Sequence, residues 1–228
     1  MKITKDQLHA SGANSNLCEL FLQLFPSGEA AYQDVLNALA EEDMPGDAHW
    51  LMDKVGPDLT AVLEVKAITN TKHLFFAGTI RVERSAILSG SMRAGWAINV
   101  GSGLYVLGGI KSGWGIKVGV SIHAGLEIDA GGSTNAMAGD IMCGRSIKVG
   151  LGMEARGEIS AGESIDVGLG MEAGGEIKCG EGWSCCAGLK VQPNKWPMYA
   201  RVIAKNKPAN LDGGYWVGPS AKAEARLP

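Results

Sequence analysis

Carboxylates recur at a fixed interval in the second half of the chain. Asp140, Glu158 and Glu176 lie eighteen residues apart, Glu154 lies eighteen before Glu172, and Glu163 eighteen before Glu181. A structural period of eighteen would stack each set into a like-charged ladder with steps of about 5 Å, mildly destabilising on its own. Three chemistries suit such a ladder. It can be glutamate copied when a repeat duplicated, a face that attracts Lys and Arg groups, or a carboxylate cluster for a cation. Asp140, Glu154, Glu158, Glu172 and Glu176 form the candidate partner-binding set, and the partner they suit is a protein with a basic surface.

Other reactive side chains give less. His123 is the only histidine between residues 74 and 192, and no GxSxG, P-loop or HExxH string occurs. Of the five cysteines, Cys143, Cys179 and Cys185 fall at small apolar positions of the pattern described below. Cys143 and Cys179 are expected two coils apart, about 10 Å, which is too far for a disulfide. They read as small core residues of a reducing cytoplasm. The Cys185-Cys186 pair has neither a second pair nor a nearby histidine, so a zinc site is disfavoured. No catalytic residue, cofactor or metal is expected.

These residues are positioned by a six-residue repeat. Counting in sixes from Ile80 gives Ala86, Met92, Ile98, Leu104, Ile110, Ile116, Ile122, Ile128 and Thr134; after one inserted residue the count resumes at Ile141 and runs to Trp183 and Leu189. A small residue follows two positions later (Val100, Val118, Ala124, Cys143, Ala161, Val167), and a glycine usually comes next. Positions i and i+2 of an extended segment face one side, so both apolar residues point inward. Glycine beside them is expected to allow a sharp turn at positive φ. Residues 146–163 match residues 164–181 at 14 of 18 positions. Three hexads per coil predict a mainly β, triangular β-solenoid with 18-residue coils. Nineteen hexads make about six turns and a rod of about 30 Å. A helix is excluded, because a glycine every six residues would cost about 1 kcal/mol each time.

Three regions follow. Residues 1–58 predict a small helical domain: Asn16 caps a helix through Phe25, a second carries Tyr32, Val35, Leu36 and Leu39 at helical spacing, and Asp47 and Gly56 bracket a third. Residues 59–192 are the solenoid, since Leu59, Ala61, Leu63, Val65 and Ala67 alternate and lead into the first coil. Residues 193–228 form a C-terminal cap. Both flanks are expected to close the open ends of the prism.

Charge is segregated, although the net is only −3. Residues 1–70 carry 4 basic and 11 acidic side chains, and residues 190–228 carry 7 and 2. No single basic stripe dominates, so a nucleic-acid partner is not expected. No apolar run reaches the length of a membrane span, and MKITKDQLHASG lacks the apolar core of a secretory signal; a cytoplasmic location is expected.

With segments such as GDIMCG and GEISAG, residues 74–192 resemble hexapeptide-repeat β-helices and, more loosely, the polymer-forming bactofilins. Left-handed hexapeptide proteins place the small residue two before the large one. The reverse order here leaves handedness open and favours a right-handed prism. NLCELFLQLFPSGEAAYQDVLNALA and AHWLM resemble a helical module that precedes repeat domains in phage and prophage proteins. Together these imply a non-enzymatic interaction protein, a bacterial or phage accessory factor whose rigid solenoid binds a protein partner, with a host defence complex among the candidates. The alternatives are a bactofilin-like self-assembling protein or other homo-oligomer, and a hexapeptide-type acyltransferase, for which His123 would have to serve as base.

Overall fold

The computed structural model describes residues 1–219. Its body is a mainly β solenoid of stacked parallel coils, with three walls of nine, eight and seven strands. The chain passes through the nine-, then the seven-, then the eight-strand wall, so each coil adds one rung to each wall. Stacking follows the eighteen-residue period: Ile80 pairs with Ile98, Ile110 with Ile128, and Leu104 with Ile122. The inward residues make one continuous core along the axis, in which Ile98, Ile110, Ile122 and Ile165 are fully buried.

The solenoid has about nine turns instead of the six expected, for two reasons. It starts at Val62–Val65, Ile68–Thr71 and Leu74–Phe76, strands that lack the glycine punctuation. It also continues past residue 192, where Arg201–Ile203, Leu211–Gly213 and Tyr215–Gly218 add the last rungs. Nine rungs at about 4.8 Å make a rod of about 40 Å. The hexad count fails earlier than expected, after Ile177. Ile165 pairs with Cys185, twenty residues on, so Trp183 and Leu189 fall outside the core and are exposed.

The glycines act differently from expectation. Positive-φ glycines occur at Gly12, Gly28, Gly56, Gly182, Gly188, Gly214 and Gly218, none of them within the regular coils. In the coils the constraint is close approach of backbone. A Cβ on Gly119 would run into the carbonyl oxygen of Gly101, and one on Gly168 into that of Gly150.

The inserted residue lies in the corner 137–140. Thr134 still pairs with both Ile116 and Met153, and Ile141 with both Ile122 and Ile159. An extra residue of this kind is expected to form a β-bulge that ends strict stacking; here the corner absorbs it, with no shift of register.

The N-terminal module has four helices: α1 (Lys5–Ala10), α2 (Ser15–Leu24), α3 (Tyr32–Glu41) and α4 (Pro45–Val55). A short antiparallel pair, Lys2–Thr4 with Glu29–Ala31, ties them together. The cap of α2 is Asn14, whose side chain accepts the Leu17 N–H, and not Asn16. α1 escaped the sequence reading, although Thr4 and Gln7 form a capping box. Pro45 opens α4, which places Asp47 inside its first turn. The module packs against the outward side of the first strand of the eight-strand wall, where Phe75 and Ala77 join its core. It does not plug the prism: Leu63, Val65, Leu74 and Phe76 of the first rung remain only partly buried. One expected end closure is thus partial, covering one wall of three. Lys222 and Arg226, part of the basic tail, lie outside the described residues.

Candidate interaction surface

Outward positions of each wall form a column along the rod, and the three columns differ in chemistry. On the eight-strand wall Arg93, Lys111, Asp129, Lys148 and Asp166 stack in register. Two cations adjoin at its base, and α4 supplies the counter-charge: Asp53 pairs with Arg93 and lies 3.8 Å from Lys111. Arg93, almost fully buried, also donates to the His49 carbonyl at 2.8 Å. Burial alone would raise the Asp53 carboxyl, but the hydrogen bond and charge of Arg93 outweigh it and hold it below its usual range. Burial first, then the positive charge of Arg93, pushes His49 down to about 4.

The nine-strand wall is also polar. Its column runs Glu64, Arg81, Asn99, Lys117, Asn135, Glu154 and Glu172. Arg81 pairs with Glu64 at 2.8 Å, and the Asn135 amide donates to Glu154 at 3.3 Å. An open trough of about 620 Å³ lies beside its lower half, where Gly101 and Gly119 leave room between Lys117 and Met137.

The seven-strand wall differs from both. Four successive rungs of its column carry Ile87, Tyr105, His123 and Met142, and Ser160 and Lys178 follow. The rings of Tyr105 and His123 stack with centroids 5.0 Å apart and planes 17° apart. Ile87, Tyr105 and Met142 are exposed, as are Leu107 (72%) and Leu126 at one corner and Val120 and Met137 at the other. Four rungs of one wall thus carry a contiguous apolar face, of the kind that marks an interaction site. This face is absent from the sequence-based expectations, although the eighteen-residue period carries its signal: Ile87, Tyr105 and His123 lie eighteen residues apart, as the carboxylates do.

The five predicted acids are split by the fold. Glu154 and Glu172 face each other on adjacent rungs of the nine-strand wall. Asp140, Glu158 and Glu176 lie at the corner that enters the seven-strand wall, each just before a strand, and so border the apolar face. They are not a bare ladder. Asp140 Oδ1 accepts the backbone N–H of Glu158 at 2.8 Å. Lys178 Nζ bridges Glu158 at 2.9 Å and Glu176 at 2.6 Å, and Asn206 donates to Glu176 at 2.9 Å. The hydrogen bond from Lys178, then that from Asn206, lowers the Glu176 carboxyl, and bonds to Glu176 and Glu158 raise Lys178 well above the usual lysine range. The repulsion expected from the stacking is largely relieved within the chain.

The cysteine thiols are all free. Burial pushes Cys143 up to about 11, and burial together with the neighbouring Cys179 raises Cys185 well beyond the thiol range. Such thiols are poor nucleophiles. Among the described residues, no group of three or more His, Cys, Asp or Glu side chains gathers as a metal site requires, and no helix is long and apolar enough to cross a membrane.

Comparison with known proteins concerns the front of the chain. Residues 1–56 match the family described as the YdhT N-terminal domain. That stretch is the four-helix module, ending at Gly56, the C-cap of α4. The solenoid lies outside the match. Searches of curated proteins and of solved structures found no match.

Proposed function

We propose that this chain is a non-enzymatic interaction protein whose seven-strand wall docks against a protein surface. The observation that carries the reading is the contrast between walls: two outward columns are mostly charged or amide-rich, and the third carries Ile87, Tyr105, His123 and Met142 on four successive rungs before Ser160 and Lys178. The acidic corner Asp140, Glu158 and Glu176 beside it forms a polar rim, suited to a partner with an apolar centre and basic surroundings. His123 lies against Tyr105, and no acid or nucleophile among the described residues hydrogen-bonds its ring, so the transferase reading gains nothing. Only the front-segment resemblance supports the wider role of a bacterial or phage accessory factor with a host defence complex as partner.

The test is a pull-down from the native host with wild type and with Leu107→Glu combined with Tyr105→Glu. Both positions are exposed, so folding and melting temperature should be retained while the specific partner is lost. Equal recovery of that partner by both proteins would overturn the reading.

A second reading, end-to-end self-assembly, rests on the partly buried first rung at Leu63, Val65, Leu74 and Phe76. Filaments of the full chain, seen by light scattering and electron microscopy, would favour it.

A further inference from the structure

Resting on the docking-face reading, we propose that the occupant of the seven-strand wall is a second copy of this chain, paired antiparallel about a two-fold axis between the rungs of Tyr105 and His123.

The apolar stretch covers four rungs, from Ile87 to Met142, with Leu107 on the second and Leu126 on the third. A two-fold axis along the strand direction can lay this stretch on itself only if it passes between the second and third of these rungs. Ile87 then faces Met142 of the other copy, Tyr105 faces His123, and Leu107 faces Leu126.

The same operation decides the charges, which were not used to place it. At the corner entering this wall, Lys66 and Arg84 occupy the two lowest rungs, Arg84 directly above Lys66. Both are exposed, and neither has an ion pair among the described residues. Asp140 and Glu158 occupy the fifth and sixth rungs of that corner. The axis brings Arg84 to Asp140 and Lys66 to Glu158 of the other copy, twice each by symmetry. At the opposite corner it brings Lys72 towards Glu163. Lys72 and Glu163 already have partners in the chain, Asp43 at 2.6 Å and Arg145 at 3.3 Å. The competing face-to-face arrangement, with parallel rods, would place Lys66 against Lys72 and Glu158 against Glu163, two like-charged pairs against the single opposite pair Asp140 and Arg145, and leaves Arg84 without an acid, so it is disfavoured. The free cations at one end of the face and the acids at the other are therefore best matched in the antiparallel orientation.

The size also fits. Six rungs at about 4.8 Å give a length of roughly 29 Å, and a wall about six residues across is roughly 20 Å wide. That buries about 1,100 Å² in total, just above the lower bound for a specific interface, and predicts a dimer of modest, salt-sensitive affinity.

The experiment is sedimentation velocity on the full chain over the micromolar range, with a charge exchange. Wild type should dimerise. Lys66→Glu alone and Glu158→Lys alone should each weaken self-association by about tenfold or more, because each puts like charges together at both ends. An equimolar mixture of the two single variants should recover the wild-type dimer, since every contact in the mixed pair joins opposite charges. No hetero-partner predicts that recovery. Wild type that stays monomeric, or single variants whose mixture associates no better than either alone, would overturn the pairing. Failure of the docking face itself is read separately: the Leu107→Glu, Tyr105→Glu variant keeps the corner charges but should lose self-association, and self-association unchanged in that variant would remove the apolar face from the contact.

Discussion

The side-chain amide of Gln33 completes the free edge of the strand that carries Phe75. Its Nε2 donates to the Phe75 carbonyl at 2.8 Å, and its Oε1 accepts the Ala77 N–H at 3.0 Å. One residue of α3 thus stands in for the missing neighbour strand of the eight-strand wall. The partner covers the edge of one strand and not the open end of the core, so Leu63, Val65, Leu74 and Phe76 of the first rung stay only partly buried. Edge groups of this kind otherwise template further pairing.

Gln33→Ala should leave the Phe75 carbonyl and the Ala77 N–H unpaired beneath packed side chains, at a cost of about 1–3 kcal/mol. Amide hydrogen exchange at Ala77 is the direct readout, and it should speed up while exchange at Ile165, deep in the solenoid, does not change. Unaltered protection at Ala77 would remove Gln33 from this role.

Docking of α4 should weaken on acidification. His49 titrates at about 4 in the folded chain and near 6.5 when unfolded. Between those values the unfolded state binds the extra proton, so stability is full above about pH 6.5 and falls as the pH drops towards 4. Allowing for solvent screening, the loss is about 1–2 kcal/mol. Asp53, held low by Arg93, adds a loss of the same sign at lower pH. Melting temperature against pH should show the slope, and His49→Gln should flatten it between pH 4 and 6.5.

Thr134 is a defect in the inward column. It lies between Ile116 and Met153 with 1% of its surface exposed, and its hydroxyl has no hydrogen-bond partner. Thr134→Val keeps the shape and removes the orphan oxygen, so it should stabilise by about 1 kcal/mol. Urea unfolding would reveal the gain as a higher midpoint with unchanged slope. A lower midpoint would mean that the hydroxyl is satisfied in solution.

The corner 137–140 holds the inserted residue, and the strands on both sides keep their register. Deleting Ala138 restores the three-residue corner found at 119–121 and should change stability by less than about 1 kcal/mol. If the variant folds but self-associates or binds its partner less well, the four-residue corner matters through the placement of Asp140 and Met137 beside the apolar face.

The repeat itself determined the walls and the core. Alternation within each hexad sends Ile98 and Val100 inward, and identity at eighteen residues lets Lys111 be placed beside Asp129 before any coordinates are known. What failed was whatever broke the period. The two extra residues before Cys185 expelled Trp183, and the last rungs at Arg201–Ile203 and Tyr215–Gly218 have no hexads to announce them, because pairing to an existing edge can recruit an irregular segment. Stacking arithmetic also placed Asp140, Glu158 and Glu176 above one another correctly, yet it could not see Lys178 and Asn206 neutralising them. Those contacts depend on where side chains reach across a corner. Nor did it locate the helical module, which binds through Gln33, Asp53 and Phe75, residues whose spacing carries no signal. Local periodicity specifies a one-dimensional stack; which of its faces is covered and which stays open is decided by contacts between segments distant in the chain, and only the tertiary structure contains those.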